Sequence, residues 1–193
     1  MCGRYTIEED ESVDLRALYE ELRVTHPYTS VKSGEIFPTD TVPLLCFGGE
    51  RRPLCPAVGV WGFRKEEGRS GSSVIINARA ESAAERPMFR ECFLRRRCVV
   101  PTAGYFEWSK DKVKHRFSVP DSPVTYLAGL WRPDPAGARF VVLTTAANSS
   151  VSPVHHRMPV ILPSDALADW VRNTDFATHY LRQVMPSLAC RPA

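Results

Sequence analysis

The second residue of the chain is a cysteine, in "MCGRY". Initiator methionine is commonly trimmed before small residues, which would leave Cys2 with an α-amine and a thiol on one residue. The amine titrates near about 7.7–8.0 and the thiol near about 8.5, so both are partly deprotonated close to neutral pH. Such a 1,2-aminothiol attacks one aldehyde carbon twice: the amine gives an imine, and the thiol closes a five-membered thiazolidine. The alternative is a small buried cysteine, the common state of a free thiol.

Three further stretches place ionisable or amide groups at the ends of apolar segments: "NARAE" (77–81), "GYFEW" (104–108) and "HHRMPVIL" (155–162). Strand ends on a rigid scaffold are where sites are usually built. Glu107 lies between Phe106 and Trp108. If it pointed inward, lost solvent would raise its pKa and let it exchange protons near neutral pH. Simple strand alternation instead puts both aromatics in the core and Glu107 in water. Asn77 could orient an amine or a sugar hydroxyl, or cap the helix after it. His155 and His156 are natural proton carriers; an extended segment would send them to opposite faces. Arg79 and Arg157 suit bidentate phosphate contacts or surface ion pairs worth little. Trp61, in "VWGF", reads as a core residue or as a stacking platform for an unpaired base, with Gly62 permitting close backbone approach.

These groups need a scaffold. Short β-branched runs predict strands at 41–47, 57–63, 72–77, 97–101, 116–119, 124–131 and 139–145. Helical spacing of Leu15, Leu18, Tyr19 and Leu22 predicts a helix over 11–24. A second is expected over 80–94, broken at Pro87, and a third over 164–172 with Ser164 as its N-cap. Residues 64–73 are the most loop-like. Many strands with few helices predict an α+β fold: one compact domain over 1–193 with a mainly antiparallel, barrel-like core.

Composition narrows the function classes. No run of 18 apolar residues occurs, so no transmembrane helix is expected. The acidic start "MCGRYTIEEDESVD" lacks the apolar core of a signal peptide. The six cysteines (2, 46, 55, 92, 98, 190) contain no CxxC pair and no interleaved histidines, so neither a metal site nor a disulfide framework is expected. Net charge is only +3, but residues 1–40 carry four Lys/Arg against nine Asp/Glu, and residues 86–116 nine against three. The basic stretch is either a polyanion-binding face or an ordinary solvated helix face.

Taken in order, "MCGRY", "WG", "NARAE", "RRRCVVPTAGYFEW" and "HHRMPVIL" resemble the SRAP (SOS response-associated peptidase) family, from residue 2 to about residue 172. The resemblance implies a β-barrel-like core with a positively charged cleft. It also implies covalent crosslinking to abasic sites in single-stranded DNA by Cys2 after Met1 is removed, shielding the lesion. Asn77 and Glu107 match the family's active-site asparagine and glutamate. The H-x-R-M-P pattern places the family's histidine at His155 and leaves His156 variable. Arg4, Arg79 and Arg157 match arginines that grip phosphates, and Trp61 and Pro38 match residues packing on bases at the lesion. One departure stands out: the loop after "WGF" lacks the Pro and second Trp often found downstream. The implied protein is a monomer with no cofactor, metal or membrane, at the bacterial nucleoid in the cytoplasm or in a eukaryotic nucleus. A cysteine peptidase with a Cys2–His155 pair, autoprocessing its own terminus, and a non-covalent single-stranded DNA-binding module are the other classes compatible with these residues.

Overall fold

The computed structural model describes residues 2–65 and 74–193. Strand β1 (Arg4–Ile7) comes first, then α1 (Val13–Thr25). The Ser12 hydroxyl caps α1 by accepting from the Asp14 and Leu15 amides, and Leu15, Leu18, Tyr19 and Leu22 are buried as their spacing predicts. There follow β2 (Gly34–Ile36), β3 (Thr41–Phe47), β4 (Leu54–Trp61), β5 (Phe63–Arg64), β6 (Val74–Ile75) and β7 (Asn77–Arg79). Next are α2 (Ala80–Ala83) and α3 (Pro87–Arg95). Pro87 opens α3, where its missing N–H costs nothing, and this is the expected break. The chain continues through β8 (Arg97–Thr102), β9 (Gly104–Trp108), β10 (Lys114–Ser118), β11 (Thr125–Asp134) and β12 (Gly137–Ala146). It ends with β13 (Arg157–Pro159), β14 (Ile161–Leu162), α4 (Leu167–Arg172), α5 (Thr174–Tyr180) and β15 (Ala189–Pro192).

The expected cap at Ser164 does not form. Ser164–Ala166 make a short 3-10 turn entered from extended Pro163, and no side chain caps it. Residues 66–73, the heart of the expected loop and the start of the expected 72–77 strand, lie outside the described residues.

Strands β12, β4, β3, β8 and β11 pair in that order, and β11 pairs back with β12. This ring is a closed five-strand barrel. Its junctions are antiparallel except β4–β12, which is parallel. The barrel was legible as a run of short strands; the parallel junction joins segments far apart in the chain and leaves no local signal. A second sheet, in the order β15-β10-β9-β1-β2, is antiparallel throughout. It brings the chain start, on β1, against β9.

Large apolar side chains close the interior: Trp61, Phe63, Phe93, Phe140 and Trp170 are fully buried. Arg97 is buried too, and no acid among the described residues pairs with it. Its guanidinium instead donates to the carbonyls of Phe93, Leu94, Trp170 and Val171, at the C-terminal ends of α3 and α4. Those carbonyls lack helical partners and carry the negative end of the helix dipoles, so the cation ties both helices to β8.

Candidate active site

Cys2 lies two residues ahead of β1, at the entry to the interior. Cys2 is buried, and its thiol donates to the Arg4 carbonyl at 3.8 Å. Asn77, at the head of β7, reaches across the chain, and its Nδ2 donates to the Cys2 carbonyl at 2.7 Å. The cap of α2 falls at Arg79, so Asn77 is not used there. Its Oδ1 is buried with no hydrogen-bond partner among the described residues. This leaves an acceptor beside Cys2.

Glu107 points inward. It is 4% exposed, buried like Phe106 at 7%, while Trp108 is half-buried, so both faces of β9 are covered and simple alternation fails at Glu107 and Trp108. Its Oε1 lies 4.0 Å from His155 Nδ1. Burial pushes the Cys2 thiol pKa well up, and the nearby Glu107 carboxylate pushes it in the same direction.

The histidine segment departs from expectation. Residues 151–154 form a turn. The two imidazoles stack, with centroids 4.4 Å apart and planes at 28°, so they do not face opposite ways. His155 is half-buried beside Glu107, and His156 is exposed. The Arg157 backbone amide donates to His155 Nδ1 at 3.0 Å, which fixes the ring.

The expected DNA-contacting residues separate. Trp61 is corrected to a core residue. It has no exposure, packs against Tyr5 and Phe140, and donates its indole N–H to the Ile76 carbonyl at 3.0 Å. A sealed ring cannot stack on a base. Arg157 is also committed. It grips Glu81 with both Nη atoms, at 2.6 and 2.9 Å, and donates to the Thr144 carbonyl, and its side chain is only 14% exposed. In this state it braces α2 and β12 beside His155. Arg79 is exposed and lines a cavity of about 950 Å³ with Asn77, Arg64, Arg86, Arg132 and Thr144. That cavity opens beside Asn77, and its four arginines favour an anionic ligand. Arg4 is a third exposed, and Pro38 is half-buried next to exposed Phe37.

Sequence reasoning missed two groups. Tyr5 and Tyr105 face each other across β1 and β9, and their buried hydroxyls have no hydrogen-bond partner among the described residues. Trp108 lies near Arg4, whose guanidinium is 5.0 Å from its ring. The expectation that Phe106 and Trp108 point alike into the core hid that contact. Among the described residues, no group of three or more His, Cys, Asp or Glu is placed to hold a metal ion, and no helix is long and apolar enough to cross a membrane.

The profile of the family described as SOS response associated peptidase (SRAP) matches residues 1–191. The abasic site processing protein YoqW of Bacillus subtilis (strain 168) is 30% identical over 200 residues, covering 96% of this chain and 86% of that protein. The abasic site processing protein YoaM of the same organism is 31% identical over 120 residues, which span 58% of this chain and 53% of that relative, about half its length. A crystal structure of a protein from Bordetella bronchiseptica superposes with a TM-score of 0.75 at 22% identity, over 100% of this chain and 99% of that one. That likeness carries the fold. With the profile running from the buried cysteine strand through the histidine turn to the last strand, the chain belongs to the SOS response associated peptidase family.

Proposed function

We propose that the protein processes abasic sites by capturing them covalently in single-stranded DNA, through Cys2 once Met1 has been removed. An abasic deoxyribose opens to an aldehyde. The α-amine of Cys2 adds to that carbon, water leaves, and an iminium remains. The thiol then adds to the same carbon and releases its proton, and the iminium becomes the ring amine of a thiazolidine. One C–N and one C–S bond replace C=O, and one water is lost. Closing the ring removes the imine that would otherwise promote β-elimination and strand scission.

Each neighbour has a role in this sequence. Glu107 takes a proton from the amine and faces the iminium cation. His155 moves the proton needed to open the sugar ring. Asn77 orients Cys2 through the 2.7 Å bond to its carbonyl and offers Oδ1 to the amine. The rest is positioning. Burial and Glu107 both act against the thiolate, which favours the amine as the first nucleophile and the thiol as the group that closes the ring.

One observation carries this reading: the 1,2-aminothiol residue is drawn inside and tied to Asn77, next to a buried carboxylate that is itself 4.0 Å from an imidazole. The same site argues against a cysteine peptidase. That chemistry needs a thiolate at rest, and here both burial and Glu107 raise the thiol pKa. The test is denaturing electrophoresis and intact mass with a single strand bearing one abasic site. The expected product is protein without Met1 plus DNA less one water. Met1-free protein that gives no heat-stable product would refute the covalent step. Binding without a product would leave the non-covalent module.

A further inference from the structure

Trp61 is sealed, and the sequence has no other tryptophan before Trp108. A base beside the lesion needs a different ring. Phe37 is 38% exposed at the turn between β2 and β3. Its direction is fixed locally: its amide donates to the Asp40 carboxylate at 2.8 Å, and its carbonyl accepts from the Asp40 amide at 3.1 Å. The Arg4 guanidinium lies 4.5 Å from the Phe37 centroid and 5.0 Å from the Trp108 ring. Lys32 is 5.0 Å from Phe37, and Lys114 is 3.9 Å from the Phe106 ring. Phe37 keeps its exposure with Arg4 against it, so ring surface remains for a base.

Phe37 is open and Trp108 half-open, whereas Phe106 is buried; a cation beside an open ring suits an unpaired nucleotide, with the base on the ring and the phosphate on the cation. This patch starts two residues from Cys2. In the free protein Glu35 occupies its cations, 3.2 Å from Arg4 Nη1 and 2.8 Å from Lys114 Nζ.

We propose that Phe37 is the stacking platform for the base next to the lesion, and that Arg4 and Lys114 exchange Glu35 for the adjoining phosphate. The proposal rests on the single-strand reading above. It adds which residues hold the neighbouring nucleotide and which carboxylate competes with it.

The experiment uses Met1-free protein and two single strands, one with an abasic site and one intact, each carrying 2-aminopurine beside the lesion position. Fluorescence reports stacking, titration gives the half-saturating protein concentration, and a denaturing gel gives the crosslink. In the wild type the 2-aminopurine is quenched. Phe37→Ala should lose the quenching and raise half-saturation roughly tenfold or more on both strands, while reaching the wild-type crosslink yield at saturating protein. Phe37→Tyr should restore quenching and half-saturation, which a merely misfolded variant would not. Glu35→Gln should lower half-saturation, since the competing carboxylate is gone. Unchanged quenching and half-saturation in Phe37→Ala would overturn the platform. Phe37-dependent quenching of both strands without any crosslink would keep the platform and refute covalent capture. A wild type that quenches neither strand yet crosslinks the abasic one would overturn the platform and keep covalent capture.

Discussion

The site divides its work among single side chains. Cys2→Ala keeps the amine and loses the thiol, so it should bind abasic single strands and give an adduct trapped only by borohydride. A heat-stable crosslink equal to wild type, without reductant, would contradict ring closure. His155→Ala should slow single-turnover crosslinking at saturating protein, toward the low end of the ~10²–10⁴-fold typical of acid–base groups, because amines and aldehydes react appreciably unaided. His156 is exposed and contributes a stacked ring at 4.4 Å, so His156→Ala should have a far smaller effect. The reverse ranking would mean that the wrong imidazole has been assigned. The two arginines should also part. Arg79→Ala should weaken single-strand binding and shallow the log–log salt dependence by about 0.7. Arg157→Ala should instead cost about 1–3 kcal/mol of stability in urea titration, because it removes hydrogen bonds from Glu81 and Thr144. Residue types were legible in the sequence; their directions were not. Alternation could not say that Glu107 turns inward or that Trp61 is sealed, because each depends on strands contributed from far along the chain.

At the scale of elements, the site hangs on how β9 lies between β1 and β10. Gly104 opens β9 at φ +155, and a Cβ there would sit 2.8 Å from the Phe117 carbonyl oxygen on β10. Gly104→Ala therefore forces β9 away from β10 and shifts Glu107 with it. The expected cost is about 1–3 kcal/mol, or about 2–4 °C of Tm per kcal/mol at this size, with slower crosslinking. Gly137, at φ +111 in the β11–β12 turn, has no atom within 4 Å of such a Cβ. Gly137→Ala should lower Tm through backbone strain alone and leave the crosslinking rate unchanged. Equal rate losses in both variants would detach the site from β9. Apolar runs such as 41–47 and 139–145 were readable as strands because β-branched residues dominate them. The short strands β1, β2, β13 and β15 were not, since three or four residues of mixed character carry no periodicity. Of these, β1 begins two residues after Cys2 and β13 follows His155 and His156.

Across the whole molecule, buried acids set the pH range of stability. Burial raises the pKa of Cys2, Tyr5, Cys98 and Tyr105, and pushes Cys46 up to about 12. Above the unfolded thiol value of 9.0 the folded state holds protons that the unfolded chain has released, so stability falls as pH rises further. Glu81 and Glu35 behave oppositely: ion pairing with Arg157 and Lys114 lowers their pKa values, and that stabilisation fades as pH drops below 4.5 toward the folded values. Urea midpoints should be level between about pH 5 and 9 and decline on both sides; a midpoint still flat at pH 11 would contradict the burial of these groups. The tie between Cys2 and Asn77 spans 75 positions of sequence. On the ribosome Cys2 is made well before its partners on β7 and β9, so its surroundings form only after those strands have been synthesised. Under the capture proposed above, a nascent chain would hold Cys2 without the Asn77, Glu107 and His155 side chains around it, and translation itself would delay reactivity until the site has folded.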